Sequence, residues 1–283
     1  MRPRHDAACD RSRSERIGRT VYLDCSSGVS GDMLLAALAQ AYDDLHGAGS
    51  GPVFLDRELA RLGIDGFELA WSTVSVGGIV TGRVEVLQTR EQPLRHHADL
   101  VRIIESSGMA GRTAQRAVQA VTLLGQAEAK VHGTSLNAIH FHEIGAVDTI
   151  VDIAGTMLLL EALGAESVHC SPVDLGSGFV QCVHGKMPVP APACAELAKG
   201  LPVFGTDCGM ERATPTGLAV LRTVAEGCGP MPLGSILAVG YGSGSRSCDE
   251  QPTYVRAFVI DSVAVKSSWD RHQGVCTAGH EHG

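Results

Sequence analysis

Residues 21–38, VYLDCSSGVSGDMLLAAL, decide the fold class, because they read in succession as a buried strand, a small-residue loop and an apolar helix. Residues 21–25 form the predicted strand, and the helix is predicted from about Asp32, with Ser30 as its N-cap. A strand that passes through a short loop into a helix is the building unit of α/β proteins. The stretch therefore predicts a sheet with helices packed on it.

Helices and strands also alternate through the rest of the chain. The hairpin signal Gly77-Gly78 joins two predicted strands, 68–75 and 79–88. Other strand-like segments lie at 167–173, 178–183, 202–206 and 253–260, and helices are predicted at 55–64, 98–106, 113–131, 146–163 and 214–225, with a further helix after the prolines of 188–192 and a linker at 46–52. The alternation predicts an α/β or α+β fold, a mixed sheet with flanking helices.

The predicted domain organisation follows from composition along the chain. Residues 1–19 are Arg- and Ser-rich and predict a disordered leader, and residues 264–283 predict a disordered tail that contains histidines. The folded part is predicted over 20–263, as one unit or as two subdomains, with a helical insertion near 98–131. The tail residues Cys276, His280 and His282 could also capture a soft metal.

Composition excludes several classes of protein. The net charge of −8 argues against a nucleic-acid-binding face, and no apolar run is long enough to span a bilayer. Aromatic residues make up only 4% of the chain, so the core must rely on Ala, Val, Leu and Ile. Nine dispersed cysteines without a CxxC pair indicate reduced thiols, which predicts a cytoplasmic protein.

The richest chemistry lies in residues 139–155, IHFHEIGAVDTIVDIAG. If residues 139–142 are extended, His140 and His142 point to the same side. If a helix begins near residue 146, Asp148 and Asp152 are neighbours on one face. Imidazole and carboxylate ligands suit a borderline divalent metal. Each residue taken singly could instead be a core histidine or a helix cap, but burying the whole set without compensation would be costly.

Two other segments carry candidate chemistry. The loop between the first strand and helix exposes Gly and Ser backbone N–H groups at a helix N-terminus, which favours an anion such as phosphate. Asp24 and Asp32 flank this loop and would suit Mg²⁺ or a general base, although a tight turn with Asp32 stabilising its own helix explains them equally. His184, next to Gly185, is a further candidate metal ligand or a turn residue.

Six segments in the observed order resemble the LarC family, the nickel insertion proteins of nickel-pincer nucleotide synthesis. The matching segments are residues 21–38, AEAKVHG at 127–133, IHFHEIGAVDTIVDIAG at 139–155, SPVDLGSGFVQCVHGKMPVPAPA at 171–193, ATPTG at 213–217 and GYGSGSR at 240–246. The resemblance implies insertion of Ni²⁺ into pyridinium-3,5-bisthiocarboxylic acid mononucleotide, with two Ni–S bonds and one Ni–C bond formed.

The resemblance also implies roles for individual residues. Nickel is assigned to His140 and His142, with Asp148, Asp152 and His184 as further metal ligands. The nucleotide phosphate is assigned to the first loop, through Ser26, Ser27, Gly28, Ser30 and Gly31. The catalytic carboxylates, one of which accepts the ring proton, are expected among Asp24, Asp32 and Glu143.

The chain departs from the family at its C-terminus. Family members continue into a domain that is implicated in binding CTP with Mg²⁺ or Mn²⁺, and this sequence is expected to lack it. The chain could therefore require a separate CTP-binding subunit, act as a nickel chaperone, or metallate a different thiocarboxylate. A metal-dependent hydrolase is a third reading. A homo-oligomer is expected, and no partnership with nucleic acid or membrane.

Overall fold

The computed structural model describes residues 16–93, 95–139, 147–182, 185–246 and 251–263. For residues 16, 17 and 263 it describes the backbone only. In chain order the elements are β1 Arg16–Asp24, α1 Gly31–His46, α2 Ser50–Leu59, β2 Phe67–Val76, β3 Ile79–Gln88, α3 His97–Ser106, α4 Gly111–Val131, α5 Val147–Ala162, β4 Ala165–Cys170, β5 Val173–Asp174, β6 Phe179–Cys182, β7 Gly185–Pro188, α6 Pro192–Leu197, β8 Val203–Phe204, α7 Pro215–Val224, β9 Gly227–Cys228, β10 Gly234–Gly242 and β11 Val255–Val263. His140, His142, Glu143 and His184 lie outside the described residues, as do the predicted leader and tail.

A seven-stranded mixed sheet forms the frame, in the order β2-β3-β10-β11-β1-β4-β9. Strand β1 pairs antiparallel with β11 and parallel with β4, so the first and last strands of the chain lie side by side in the sheet. Two small sheets, β5 with β8 and β6 with β7, lie apart from this frame. The predicted α/β class with a mixed sheet and flanking helices is confirmed.

Helix α1 lies directly on the sheet, in contact with β10, β3 and β11. Glycines on β10 allow this close approach: a side chain at Gly240 or Gly242 would collide with backbone atoms of α1, at Ala37 and Met33 respectively. Because the sheet holds α1 so tightly, the N-terminus of the helix is fixed in space. That end carries residues of the candidate site.

Helix α5 is the most buried element, with thirteen buried residues between Val147 and Leu160. It packs against α1, α2 and α4, so its nearly continuous apolar sequence is covered on several sides. A helix that is apolar all round is stable only in such a position. Asp152 is the exception on this helix, a carboxylate buried among apolar side chains.

One predicted strand was wrong in its extent. The strand expected over 167–173 is divided, because β4 ends at Cys170 and β5 belongs to another sheet. The break falls at Ser171-Pro172, where proline has no N–H to continue a ladder. The Ser171 hydroxyl instead accepts a hydrogen bond from the Cys25 backbone N–H, at 2.8 Å.

Two further boundaries differ from prediction. The expected linker over 46–52 is shorter, because α2 begins at Ser50 and holds Pro52 in its first turn, where a missing N–H costs nothing. The strand expected over 202–206 is reduced to the two residues of β8. The hairpin at Gly77-Gly78 and the N-cap at Ser30 are confirmed.

Within the described part of the chain, no helix is long and apolar enough to cross a membrane.

Candidate functional site

The N-terminal ends of α1, α5 and α7 border one cavity of about 690 Å³. Its lining includes Ser30, Gly31 and Asp32 from the start of α1, and Asp148 and Asp152 from α5. The volume falls in the usual range for small-molecule sites, about 300–1,000 Å³. Helix N-termini carry partial positive charge and favour anionic groups nearby. The structure therefore brings five of the predicted site residues to one place.

Asp32 stands in the first turn of α1 and faces this cavity. Its Oδ1 accepts hydrogen bonds from the Ser30 hydroxyl and, at 2.9 Å, from the Met33 backbone N–H. Burial raises the pKa of the Asp32 carboxyl, while hydrogen bonds from Ser30, Met33 and the Ser245 backbone oppose that rise. Among the described residues, no Lys or Arg forms an ion pair with it.

Asp152 lies on α5, and its side chain borders the first turn of α1. A Cβ atom at Gly31 would collide with Oδ2 of Asp152, so the glycine leaves the space that this carboxylate occupies. Asp152 is 8% exposed, and its Oδ1 has no hydrogen-bond partner among the described residues. Burial, and then the charges of Asp32 and Asp148, raise the pKa of Asp152 well above its usual range.

Asp148 stands one turn before Asp152 and is exposed at the cavity. Its Oδ1 accepts a hydrogen bond from the backbone N–H of the next residue, Thr149, at 2.7 Å. Within residues 16–139, 147–182 and 185–263, apart from the few undescribed positions, no three His, Cys, Asp or Glu side chains converge as a metal site. The predicted histidine ligands all lie outside those ranges.

Asp24 is placed differently from Asp32, although it flanks the same loop. It ends β1 and forms an ion pair with Arg256 of β11, whose Nε, at 2.9 Å, and Nη2 both donate to Oδ2. The Ser26 backbone N–H donates to Oδ1 at 3.0 Å. Burial works to raise the pKa of Asp24, but the hydrogen bonds and charge of Ser26 and Arg256 outweigh it, and the pKa is lowered. Asp24 is not part of the cavity lining.

The first half of the predicted phosphate loop also lies away from the cavity lining. Ser26 is exposed, and Ser27 is half-buried. Gly28 has φ of 101°, and its N–H donates to the Cys25 carbonyl at 3.0 Å. The next N–H, that of Val29, donates to the Arg212 carbonyl at 2.9 Å. These N–H groups serve the turn itself, whereas Ser30 and Gly31 reach the cavity.

Helix α7 contributes cavity residues that the sequence did not assign. Thr214 caps this helix, accepting a hydrogen bond from the Gly217 N–H, and both Thr214 and Thr216 line the cavity. They lie in the segment ATPTG, so the resemblance of this segment to the family, rather than spacing, was the available signal. A Cβ atom at Gly31 would also contact the Thr216 methyl group, which shows how closely α1 and α7 approach.

Two ion pairs support the opposite wall. Arg246 donates to Glu211 Oε2 at 2.9 Å, and both residues line the cavity. Behind them, Arg212 Nε lies 3.5 Å from Oδ2 of Asp174, and both side chains are almost completely buried. Buried pairs of this kind are costly to break, since one charge would be left uncompensated. The ion pair therefore fixes the chain segment of residues 210–212 at the cavity.

The short hairpin of β6 and β7 forms the remaining side. Val180, Gln181, Cys182 and Met187 line the cavity from it. The Cys182 thiol lies 3.5 Å from the Gly185 carbonyl, across the turn. The predicted ligand His184 lies between these two residues in the sequence, outside the described residues.

The family model described as nickel insertion protein matches residues 21–278. A protein from Geotalea daltonii with the name of nickel insertion protein is 41% identical over 240 residues, which is 84% of this chain and 60% of that protein. A second protein so named, from Desulfotalea psychrophila, is 43% identical over 86% of this chain and 61% of its own length.

A third relative carries a more specific name. The pyridinium-3,5-bisthiocarboxylic acid mononucleotide nickel insertion protein of Desulfitobacterium hafniense is 42% identical over 226 residues, covering 80% of this chain and 54% of that protein. The chain thus spans a little over half to about three fifths of the length of these relatives. No solved structure matches the chain.

Proposed function

Because the chain belongs to the nickel insertion protein family, we propose that it inserts Ni²⁺ into pyridinium-3,5-bisthiocarboxylic acid mononucleotide. The product would be the nickel-pincer nucleotide, with two Ni–S bonds and one Ni–C bond. The name of the Desulfitobacterium hafniense relative supports this choice of substrate. In this reaction the metal ion is a substrate of the protein, and the activity is that of a chelatase of the lyase class.

One observation carries the proposal: residues next to both undescribed histidine segments line the same cavity. Asp148 follows the segment with His140 and His142, and Cys182 precedes His184. Described residues that flank these two segments in the sequence thus line a single cavity, whose volume suits a mononucleotide. This supports a common site for metal and nucleotide.

The metal ligands we propose are His140, His142, Asp148, Asp152 and His184. Imidazole and carboxylate groups bind Ni²⁺ without the strong affinity of a thiolate cage. The substrate offers two sulfur donors, which are softer than the protein's nitrogen and oxygen donors. Transfer to the nucleotide is therefore favourable if the protein holds the metal only through these weaker ligands.

The nucleotide phosphate is proposed to bind at the start of α1. Ser30 and Gly31 line the cavity there, and the helix N-terminus favours an anion. Ser26, Ser27 and Gly28 remain part of the proposed loop site, although their N–H groups that have described partners are used within the turn. The nearby α7 N-terminus adds a second helix end of the same polarity.

Formation of the Ni–C bond requires loss of a ring proton, and we propose Asp24, Asp32 or Glu143 as its acceptor. A general base must reach the proton that it removes. Of the two described candidates, Asp32 faces the cavity, whereas Asp24 is engaged by Arg256. The geometry therefore favours Asp32 over Asp24 for a role at the substrate.

Incubation of the purified chain with Ni²⁺ and the bisthiocarboxylate nucleotide, with and without CTP and Mg²⁺ or Mn²⁺, tests the proposal. Mass spectrometry should show the nickel-bearing nucleotide, and the double variant His140→Ala/His142→Ala should not form it while remaining folded by circular dichroism. Stoichiometric Ni²⁺ binding by calorimetry should be lost in the same variant. Product formation by this double variant would refute the assignment of His140 and His142 as nickel ligands.

A second candidate function is a nickel chaperone or subunit that delivers metal to a separate CTP-binding partner. The observation that favours it is coverage, since the chain spans only about three fifths of most of its relatives. Tight Ni²⁺ binding without product, restored by adding the remaining part of a relative, would establish this alternative. Product only from another thiocarboxylate would instead indicate a variant with a changed substrate.

A further inference from the structure

Two carboxylates from different helices lie beside each other at the cavity without a basic partner in the described part of the chain. Asp152 on α5 places Oδ2 against the Cα position of Gly31, the residue that precedes Asp32 on α1. Both aspartates line the cavity. Oδ1 of Asp152, a side chain more than nine-tenths buried, has no hydrogen-bond partner there.

Such an arrangement is unfavourable without a compensating charge. A buried carboxylate normally has several hydrogen bonds or a cationic partner, because its desolvation is not otherwise repaid. Asp32 meets part of this requirement through hydrogen bonds from Ser30, Met33 and the Ser245 backbone. Oδ1 of Asp152 has no described protein donor, and both residues face the same open volume.

The surrounding sequence preserves the space between the helices. Glycine at position 31 is the only residue that avoids a collision with the Asp152 carboxylate, as a Cβ atom there would overlap it. The close packing of α1 against β10 prevents the helix from moving away to relieve the repulsion. The two carboxylates are therefore held together by rigid elements, as in a preorganised ion site.

We propose that Asp32 and Asp152 hold one divalent cation of the Mg²⁺ or Mn²⁺ class between α1 and α5. The donors available there are carboxylate and hydroxyl oxygens, which suit these hard cations, while imidazole nitrogen suits nickel. The remaining coordination positions face the cavity and are open to water or to a phosphate oxygen of a bound nucleotide. This cation is separate from the Ni²⁺ substrate.

The inference refines the proposed function and rests on it only for the identity of the nucleotide. It removes Asp152 from the nickel ligands and leaves His140, His142, Asp148 and His184 in that set. It also gives Asp32 the role of a cation ligand, so that Glu143 remains as the proposed acceptor of the ring proton, since Asp24 is engaged by Arg256. The positive charge would bring an anionic substrate to a cavity that is otherwise strongly acidic.

Mn²⁺ alone serves as the probe, with binding to the purified chain followed by electron paramagnetic resonance. The wild-type protein should bind one Mn²⁺ per chain, and Mg²⁺ should compete for it. Asp32→Asn and Asp152→Asn should each weaken Mn²⁺ binding at least tenfold. Asp148→Asn is the matched control, since it removes the same charge one helical turn away, and it should change the affinity by less than threefold.

Thermal unfolding in the presence of EDTA gives a second measurement. Asp152→Asn should unfold at a higher temperature than the wild type in chelator, because the buried charge is removed, and it should lose the increase that Mn²⁺ gives the wild type. If Asp152→Asn fails to fold, the less buried Asp32→Asn decides the question. Unchanged Mn²⁺ affinity in a folded Asp32→Asn variant would overturn the proposal.

The histidine variant separates this inference from the proposed function. His140→Ala/His142→Ala should keep Mn²⁺ binding within threefold of the wild type while losing Ni²⁺. Loss of Mn²⁺ in that variant, or no saturable Mn²⁺ binding by the wild type, would refute the separate cation position. Neither outcome would bear on whether the wild-type chain forms the nickel-bearing nucleotide.

Discussion

The two ends of the loop between β1 and α1 each carry an aspartate, and their charges are balanced in opposite ways. Asp24 has a guanidinium and a backbone N–H as partners, and its pKa is lowered. Asp32 has a hydroxyl and backbone N–H groups, lies near the buried Asp152, and its pKa is raised. The same residue type, eight positions apart, has a cationic partner at one end of the loop and none among the described residues at the other.

This difference separates structural charge from functional charge. An ion pair between neighbouring strands stabilises the sheet and leaves the carboxylate unavailable to a ligand. Carboxylates that face a cavity without a protein cation are the usual sign of a site that binds a charged ligand. Removing each aspartate should therefore change a different property of the protein.

The largest expected effect is on product formation. Asp32→Asn should lower the rate of nickel-bearing nucleotide formation at least 100-fold, because the variant loses a carboxylate that faces the cavity where the substrate is proposed to bind. Asp24→Asn, normalised to folded protein, should lower it less than tenfold. Single-turnover mass spectrometry measures both. Equal losses in the two variants would show that the comparison does not separate their roles.

The next largest effect is on stability at the α1 end of the loop, beside Asp32. Gly31→Ala should lower the free energy of unfolding by roughly 2–3 kcal/mol, because the added methyl group collides with the Asp152 carboxylate and the Thr216 methyl group. Urea unfolding measures the change. Gly111→Ala is the matched control, because Gly111 is likewise the first residue of a helix, α4, and an added methyl group there meets no neighbour. A loss at Gly31 no larger than at Gly111 would contradict this packing explanation.

The sequence predicted the parts of the fold that depend on local patterns. Alternating apolar residues and a Gly-Gly turn identified β2 and β3, and the Ser30-Gly31-Asp32 sequence identified the start of α1. Short strands such as β5 and β8 were not resolved, because two residues carry no measurable periodicity. The order of strands in the sheet could not be predicted either, because β1 pairs with β11 from the other end of the chain.

The same distinction between local patterns and tertiary contacts applies to the candidate site. The motif order marked Asp32, Asp148 and Asp152 as chemistry-bearing residues, and the structure gathers them at one cavity. The balance of charge could not be foreseen, since Arg256 meets Asp24 from 232 positions away. The contact of Asp152 with Gly31 is likewise a product of tertiary packing. The roles of His140, His142, Glu143 and His184 stay predictions.

A smaller effect on stability is expected at the β1 end of the loop, where Asp24 is paired with Arg256. Asp24→Asn should lower the free energy of unfolding by about 1.5–2 kcal/mol at pH 7, the range for a hydrogen-bonded charged group. The pKa of Asp24 is lowered in the fold, so this stability is present above the ordinary aspartate pKa of about 4 and is lost as the pH falls through the native pKa. Denaturation at a series of pH values should show the two proteins converging in acid.

A double-mutant cycle confirms that Arg256 is responsible for this stability. Arg256→Met alone should cost a similar amount, and Asp24→Asn should add little to it, because the two residues share one interaction. Additive losses would show that Asp24 draws its stability from the Ser26 N–H instead. The pair is partly exposed, so added salt should reduce the coupling between the two residues.

The smallest effect is expected at the helix cap between the two aspartates. Ser30→Ala should lower the free energy of unfolding by about 1 kcal/mol, since the hydroxyl accepts a hydrogen bond from the Met33 N–H at the start of α1. The same hydroxyl donates to Asp32, so the variant should also weaken Mn²⁺ binding severalfold by leaving that carboxylate less well positioned. Ser30→Thr keeps both hydrogen bonds and should restore most of the stability and the Mn²⁺ affinity. If stability falls in Ser30→Ala but Mn²⁺ affinity does not, Ser30 acts only on the helix, and the cation position depends on the carboxylates alone.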